Sequence, residues 1–137
     1  MSAPKRILAV DFGDRRTGLA ATDYTGSIIV PLDTLRNLAD DACARAIAEL
    51  AAERESEVIV VGLPLDTRGE RGPRAERTLA FAQLVEKQTS CPVVTVDETS
   101  TTDEAHDRLK QFGLRASQRK KVADSVAAMI ILERYRG

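Results

Sequence analysis

The chain has no tryptophan, one histidine, two cysteines and 4% aromatic residues among its 137 positions. So few rings leave the core to aliphatic side chains and alanine, and they argue against reading nucleic-acid bases by stacking. The single histidine, His106, gives little support to a histidine general base. Cys43 and Cys91 stand far apart and match no metal-binding spacing, so both read as small core residues of a reducing compartment. No segment is long and apolar enough for a membrane: the longest run, Val126 to Leu132, falls far short of the roughly 20 residues a span needs. Met1 to Arg6 has no apolar secretory stretch. The expectation is a cytoplasmic protein without membrane contact. No repeat, low-complexity tract or linker divides the chain, so 1–137 reads as a single domain. The net charge is −1, so any binding of phosphate must come from local basic patches.

What is present alternates between strands and helices. Arg6 to Phe12 contains the continuous apolar run Ile7-Leu8-Ala9-Val10, a buried strand, and Gly13 to Arg16 a turn. Thr17 to Thr22 and Ser27 to Val30, ending before Pro31, follow as two more strands, and their short connections predict an antiparallel meander. Asp40 to Arg54 has helical spacing in Cys43, Ile47 and Leu50, with Asp40 or Asp41 placed to start the helix. Glu57 to Gly62 contains Val58-Ile59-Val60-Val61, a fully buried strand, Pro73 to Lys87 is a helix with proline in its first turn, and Val93 to Asp97 a last strand. Ser100 to Phe112 is a helix stopped by Gly113, and Ser117 caps a final helix to about Arg136. The order predicts an α/β fold: a mixed five-stranded sheet, a three-strand antiparallel meander plus parallel strands, flanked by helices on both faces.

Acids occupy costly places in this pattern. Asp11 ends the first core strand, Asp97 and Glu98 end the last, and Asp124 interrupts the nearly all-apolar helical segment "VADSVAAMIIL". A buried carboxylate needs a partner. The C-terminal ends of parallel strands are where α/β folds gather their sites, so if the first and last strands run parallel, Asp11 and Asp97/Glu98 share an edge that Asp124 can reach. Converging carboxylates call for cations, and Mg²⁺ or Mn²⁺ suit oxygen ligands. Two such ions about 3.5–4 Å apart are the device for in-line attack on a phosphodiester. Against this stand plainer readings. Asp11 can cap the turn at Gly13, one of Asp97 and Glu98 can simply meet solvent, and Asp124 can pair with Lys120 or Lys121.

Basic residues lie beside these acids: Arg15 and Arg16 after Asp11, Arg68, Arg71, Arg74 and Arg77 around the loop after "VGLPL", and Arg119, Lys120 and Lys121 before Asp124. Each alone reads as solvated surface, whereas three clusters next to three acids suggest contacts to a phosphate backbone. Two motifs mislead. Asp11-Phe12-Gly13 lacks the glycine-rich and His-Arg-Asp loops of a kinase, and Asp103-Glu104-Ala105-His106 lacks the Walker A loop of a helicase. Asp103 and Glu104 fit the first turn of a helix.

"AVDFG" with "RTGLA", "IVVGLPL" with a following glycine, "DE" before "TTDEA", and "DSVAAMIILERY", in that order over nearly the whole chain, resemble the YqgF/RuvX family. Its bacterial members are named as Holliday junction resolvases and as pre-16S rRNA nucleases. The resemblance implies a ribonuclease H-like fold, a metal-dependent nuclease, and a cytoplasmic role in maturing the 5′ end of small-subunit ribosomal RNA. It places the acidic triad on Asp11, Glu98 (with Asp97 adjacent) and Asp124. Many ribonuclease H-like enzymes carry their second acid at the end of the strand that here reads "VVGLP"; in this chain it comes one strand later. Thr99 stands where the family usually has arginine, which removes a phosphate contact and leaves Arg15, Arg68 or Arg119 to replace it.

The expectation is therefore a nuclease using Mg²⁺ or Mn²⁺, in two ions, held by Asp11, Asp97, Glu98 and Asp124. The metals lower the pKa of water and stabilise charge on phosphate, so no side-chain base is required. Gly13, Arg15, Arg16, Arg68, Arg119, Lys120 and Lys121 would meet nucleic acid, precursor ribosomal RNA or branched DNA. A monomer or a homodimer fits, and a resolvase would need the dimer. The rival readings are one lobe of a sugar-kinase or actin-like ATPase, which needs two such lobes, and a non-catalytic RNA-binding relic.

Overall fold

The computed structural model describes residues 5–99, 101–111, 113 and 115–137, and of residues 101, 102 and 117–121 the backbone alone. The elements follow in the order β1 (Ile7–Asp11), β2 (Arg16–Thr22), β3 (Ile29–Arg36), α1 (Asp40–Glu53), β4 (Val58–Leu63), α2 (Pro73–Gln88), β5 (Val93–Asp97), α3 (Thr101–Gln111) and α4 (Ala116–Arg136). They build one five-stranded sheet in the order β3-β2-β1-β4-β5. β1, β2 and β3 pair antiparallel, as their short turns require, and β1, β4 and β5 run parallel through helical crossovers.

Strand alternation sends successive side chains of β1 to opposite faces. Leu8, Val10 and Phe12 join Ile47 of α1 and Phe81 and Val85 of α2 in one core, while Ile7 and Ala9 join Val58, Val60 and Ile131 and Leu132 of α4 in the other. α4 reads as apolar on nearly all sides because it is covered twice: the sheet lies under it, and Ala105 of α3 packs against Ala127 and Ile130. Arg108 of α3 fastens the two helices with paired hydrogen bonds of 3.0 Å to Glu133.

One strand runs well past its predicted end, whereas α1 starts at Asp40 as expected. β3 does not stop before Pro31 but runs through it to Arg36. It is an edge strand, and an edge leaves one side of the backbone without ladder bonds, so the missing N–H of proline is tolerated. α1 is preceded by Ala39 without a side-chain cap, and Asp40 and Asp41 lie inside the first turn, where their charge favours the helix dipole. α3 is followed by Gly113 at φ 72°, the left-handed conformation that glycine accepts at a helix end. The predicted ends Ser100 and Phe112 lie outside the described residues. Ser117 does not cap the last helix as expected, because α4 already begins at Ala116 and Ser117 lies within its first turn.

α4 crosses β2 at Gly18, where a Cβ atom would stand 2.1 Å from the carbonyl oxygen of Asp124. Ser125 anchors the same turn by donating to the Leu32 carbonyl at 2.9 Å. Gly18→Ala is therefore expected to lower stability in urea unfolding by about 1–3 kcal/mol through overpacking. An unfolding curve matching that of the unaltered protein would show that the helix does not need this close approach.

Candidate active site

The period of the strands decides which acids meet. On the α4 face of the sheet, β1 presents Ile7, Ala9 and then Asp11, while Val94 and Val96 of β5 pack against the same core. Glu98 continues that alternation, since its N–H donates to the Leu63 carbonyl at 3.1 Å and extends the β4–β5 pairing by one residue. Between Asp11 and Glu98 lies β4, whose residue on this face is Gly62. A Cβ there would stand 2.8 Å from Glu98 Oε2 and 2.4 Å from Ile131. The absent side chain is what lets Glu98, coming from the strand beyond, lean across β4 to Asp11.

Asp11 and Glu98 are hydrogen-bonded carboxyl to carboxyl, and Glu98 is only 8% exposed. Burial, then the bond to Asp11 and its charge, push the Glu98 pKa from 4.5 up to about 9. Burial also raises Asp11, the bond to Glu98 offsets part of this, the charge of Asp124 adds to it and that of Arg74 opposes it. One proton therefore stays with the pair at neutral pH. Asp124 faces them from α4. Its Oδ2 is buried and accepts no hydrogen bond, and Arg16 Nε stands 3.5 Å away, an ion-pair distance without hydrogen-bond geometry.

The three acids line one cavity of about 840 Å³, together with Gly13, Arg15 and Arg16. Asp97 is not brought to it. It is exposed, and its Oδ1 accepts the N–H of Thr99 at 2.8 Å and the Thr99 hydroxyl, which lower its pKa. Arg68 is exposed on the loop after β4 and does not line the cavity either. The side chains of Arg119, Lys120 and Lys121 lie outside the described residues. Several lining residues escape a reading of the sequence as sites, among them Arg36 at the end of β3, Asn37 after it, Arg74 in the first turn of α2 and the acids Asp14 and Asp103. Arg36 is found only through the pairing of β2 with β3, which sets it opposite Arg16. Asn37, at φ 55°, donates its N–H to the Arg15 carbonyl at 2.8 Å and ties the strand end to the turn. Arg74 belongs to the basic cluster after "VGLPL", but only folding separates it from Arg68.

The donor set is all oxygen, and a buried carboxylate oxygen without a hydrogen bond is among it, which is the chemistry a hard divalent cation takes. Among the described residues no three acids close on a single coordination point, because Asp11 and Glu98 bind each other and Arg16 faces Asp124.

Comparison with known proteins defines the class first. Over 96% of this chain and 95% of the other, the fold matches Thermus thermophilus RuvC with a TM-score of 0.56 at 15% identity. A fowlpox virus Holliday junction resolvase matches over 96% and 97% with a TM-score of 0.54 at 16% identity. The chain therefore shares the fold of these two proteins. Residues 5–136 match the family described as RuvX: Holliday junction resolvase, and the chain belongs to that family. A relative from Chloroflexus aurantiacus is 42% identical over 129 residues, 94% of this chain and 84% of its own length. One from Desulforudis audaxviator is 35% identical over 95% of this chain and 92% of its own. Both bear the name "Putative pre-16S rRNA nuclease". The protein is thus a nuclease by class.

The shared proton has a consequence for stability. Glu98 and Asp11 are both raised in the folded state, so their contribution is complete below about pH 4.5 and is lost as pH rises toward about 9. Urea unfolding of the metal-free protein should show stability falling between about pH 5 and about pH 8.5, with a flatter dependence in Glu98→Gln. Equal slopes in the two proteins would mean that the pair does not hold the proton.

Proposed function

We propose that the protein is a divalent-metal-dependent nuclease acting on the 5′ end of precursor small-subunit ribosomal RNA in the cytoplasm. The observation that carries this reading is the gathering of Asp11, Glu98 and Asp124 in one cavity, with a buried Asp124 oxygen that no hydrogen bond satisfies. The names of the relatives support the substrate.

Asp11, Glu98 and Asp124 are the residues that would hold Mg²⁺ or Mn²⁺. When bound, the ions would supply a water of lowered pKa and neutralise charge on the phosphate. The protein's own part is positional and electrostatic. Glu98 and Asp11 must release their shared proton before acting as an anionic pair. Arg16 must leave Asp124, and the developing charge on a phosphate is the natural destination for its guanidinium. Arg15 and Arg36 line the cavity without an ion pair or side-chain hydrogen bond among the described residues, so both are available to neighbouring phosphates. They answer for the arginine replaced by Thr99. Gly13 leaves the turn without a side chain beside the cavity, and a Cβ there would stand 2.3 Å from the Arg16 carbonyl oxygen.

A four-way DNA junction is the second reading, favoured by the family description and the RuvC-like fold. Side-by-side cleavage of precursor rRNA and junction DNA in Mn²⁺ separates the two. Under either reading Asp11→Asn should abolish cleavage while keeping the fold by circular dichroism. Undiminished cleavage would remove Asp11 from the mechanism. Arg15→Ala and Arg36→Ala should each raise KM, leave kcat nearly unchanged and reduce the salt dependence of binding by about one phosphate contact.

A further inference from the structure

Arg74 differs from the other cavity arginines in being held to the turn after β1 by two side-chain hydrogen bonds. Its Nη2 donates to the Phe12 carbonyl at 2.7 Å and its Nη1 to Asp14 Oδ1 at 3.1 Å. The guanidinium lies over the Phe12 ring, 5.6 Å from its centre. That ring stacks on Phe81 of the same helix, with centroids 3.9 Å apart and planes at 7°. One side chain of α2 thus grips the residue after Asp11 by its carbonyl and by its ring, and holds the far side of the turn through Asp14. Arg77 shares part of this cluster, 2.8 Å from Asp14 and 5.1 Å from the Phe12 ring centre, but it turns to Asp40, touches no carbonyl of the turn and does not line the cavity.

These contacts are half-exposed, with the Arg74 and Asp14 side chains 40% and 67% accessible, so they add little to global stability. Their effect is geometric. The Phe12 carbonyl belongs to the peptide unit one residue beyond Asp11, and pinning it limits rotation of the backbone that carries the carboxylate. A planar fork that donates in two directions while stacking on a ring is a capacity of arginine that lysine lacks.

We propose that Arg74 is a positioning residue that fixes the Phe12 peptide and ring, so that the Asp11 carboxylate is held toward Glu98 and Asp124, rather than a ligand of substrate phosphate. This rests on the nuclease reading above. Arg74→Lys keeps the charge and removes the fork, and the 40% exposure of the side chain leaves room for it. Arg77→Lys is the matched control.

The experiment compares the unaltered protein, Arg74→Lys and Arg77→Lys by calorimetric titration with Mn²⁺ and by steady-state cleavage of a precursor rRNA 5′ fragment. Arg74→Lys should bind Mn²⁺ about tenfold more weakly and lose about tenfold to hundredfold in kcat, with KM and salt dependence unchanged. Arg77→Lys should stay within about twofold on both measures. Because Lys keeps the charge, a change in Mn²⁺ binding reports geometry and not an altered local charge. A raised KM and a smaller salt slope at unchanged kcat would make Arg74 a phosphate ligand and overturn the proposal. Equal losses in the two variants would overturn it too, as a general loosening of the turn. An unaltered protein that neither binds Mn²⁺ nor cleaves would overturn the nuclease reading itself, and that is seen before any substitution is made.

Discussion

Two carboxyl groups pressed together on the α4 face of the sheet are the constraint on which the site depends. Asp11 and Glu98 cannot both ionise there without compensation, since burial and mutual repulsion act in the same direction. Arg74 and Arg134 exert a lowering influence on Glu98 that does not offset its burial. The pair must therefore hold a proton or meet a cation, and the third acid, with its unsatisfied buried oxygen, makes the cation the more complete solution.

The rest of the fold serves this meeting. Parallel β1, β4 and β5 bring the ends of the first and last strands to one edge. Gly62 clears the path between Glu98 and Asp11, and Gly18 lets α4 descend until Asp124 faces them. The arginines divide around the acids. Arg74 is bound into the turn, Arg16 faces a carboxylate, and Arg15 and Arg36 remain open to solvent and substrate. Acids gathered beside uncommitted cations in one cavity give it a mixed electrostatic character that suits the proposed function.

Much of this was legible in the chain. The apolar runs announced β1 and β4, and helical spacing announced α1. The wrong boundary at Pro31 arose because proline forbids a central strand and permits an edge one, and edge position is a property of the assembled sheet. The doubt between Asp97 and Glu98 had a local answer, since period 2 from Val94 and Val96 leads to Glu98. Arg68 and Arg74 carry the same charge within one cluster, and nothing short of the loop path and the first turn of α2 tells them apart.

By itself, then, the sequence determined the elements, the class of fold and the three acids worth watching, because periodicity and the cost of charge in apolar surroundings are local properties written in residue order. Tertiary structure alone decided that Asp11 and Glu98 share a proton across Gly62, that Arg36 joins the cavity and that Arg74 is spent on the turn. Those outcomes depend on distances between residues far apart in the chain. Strand order and helix docking set such distances, and no single segment encodes them.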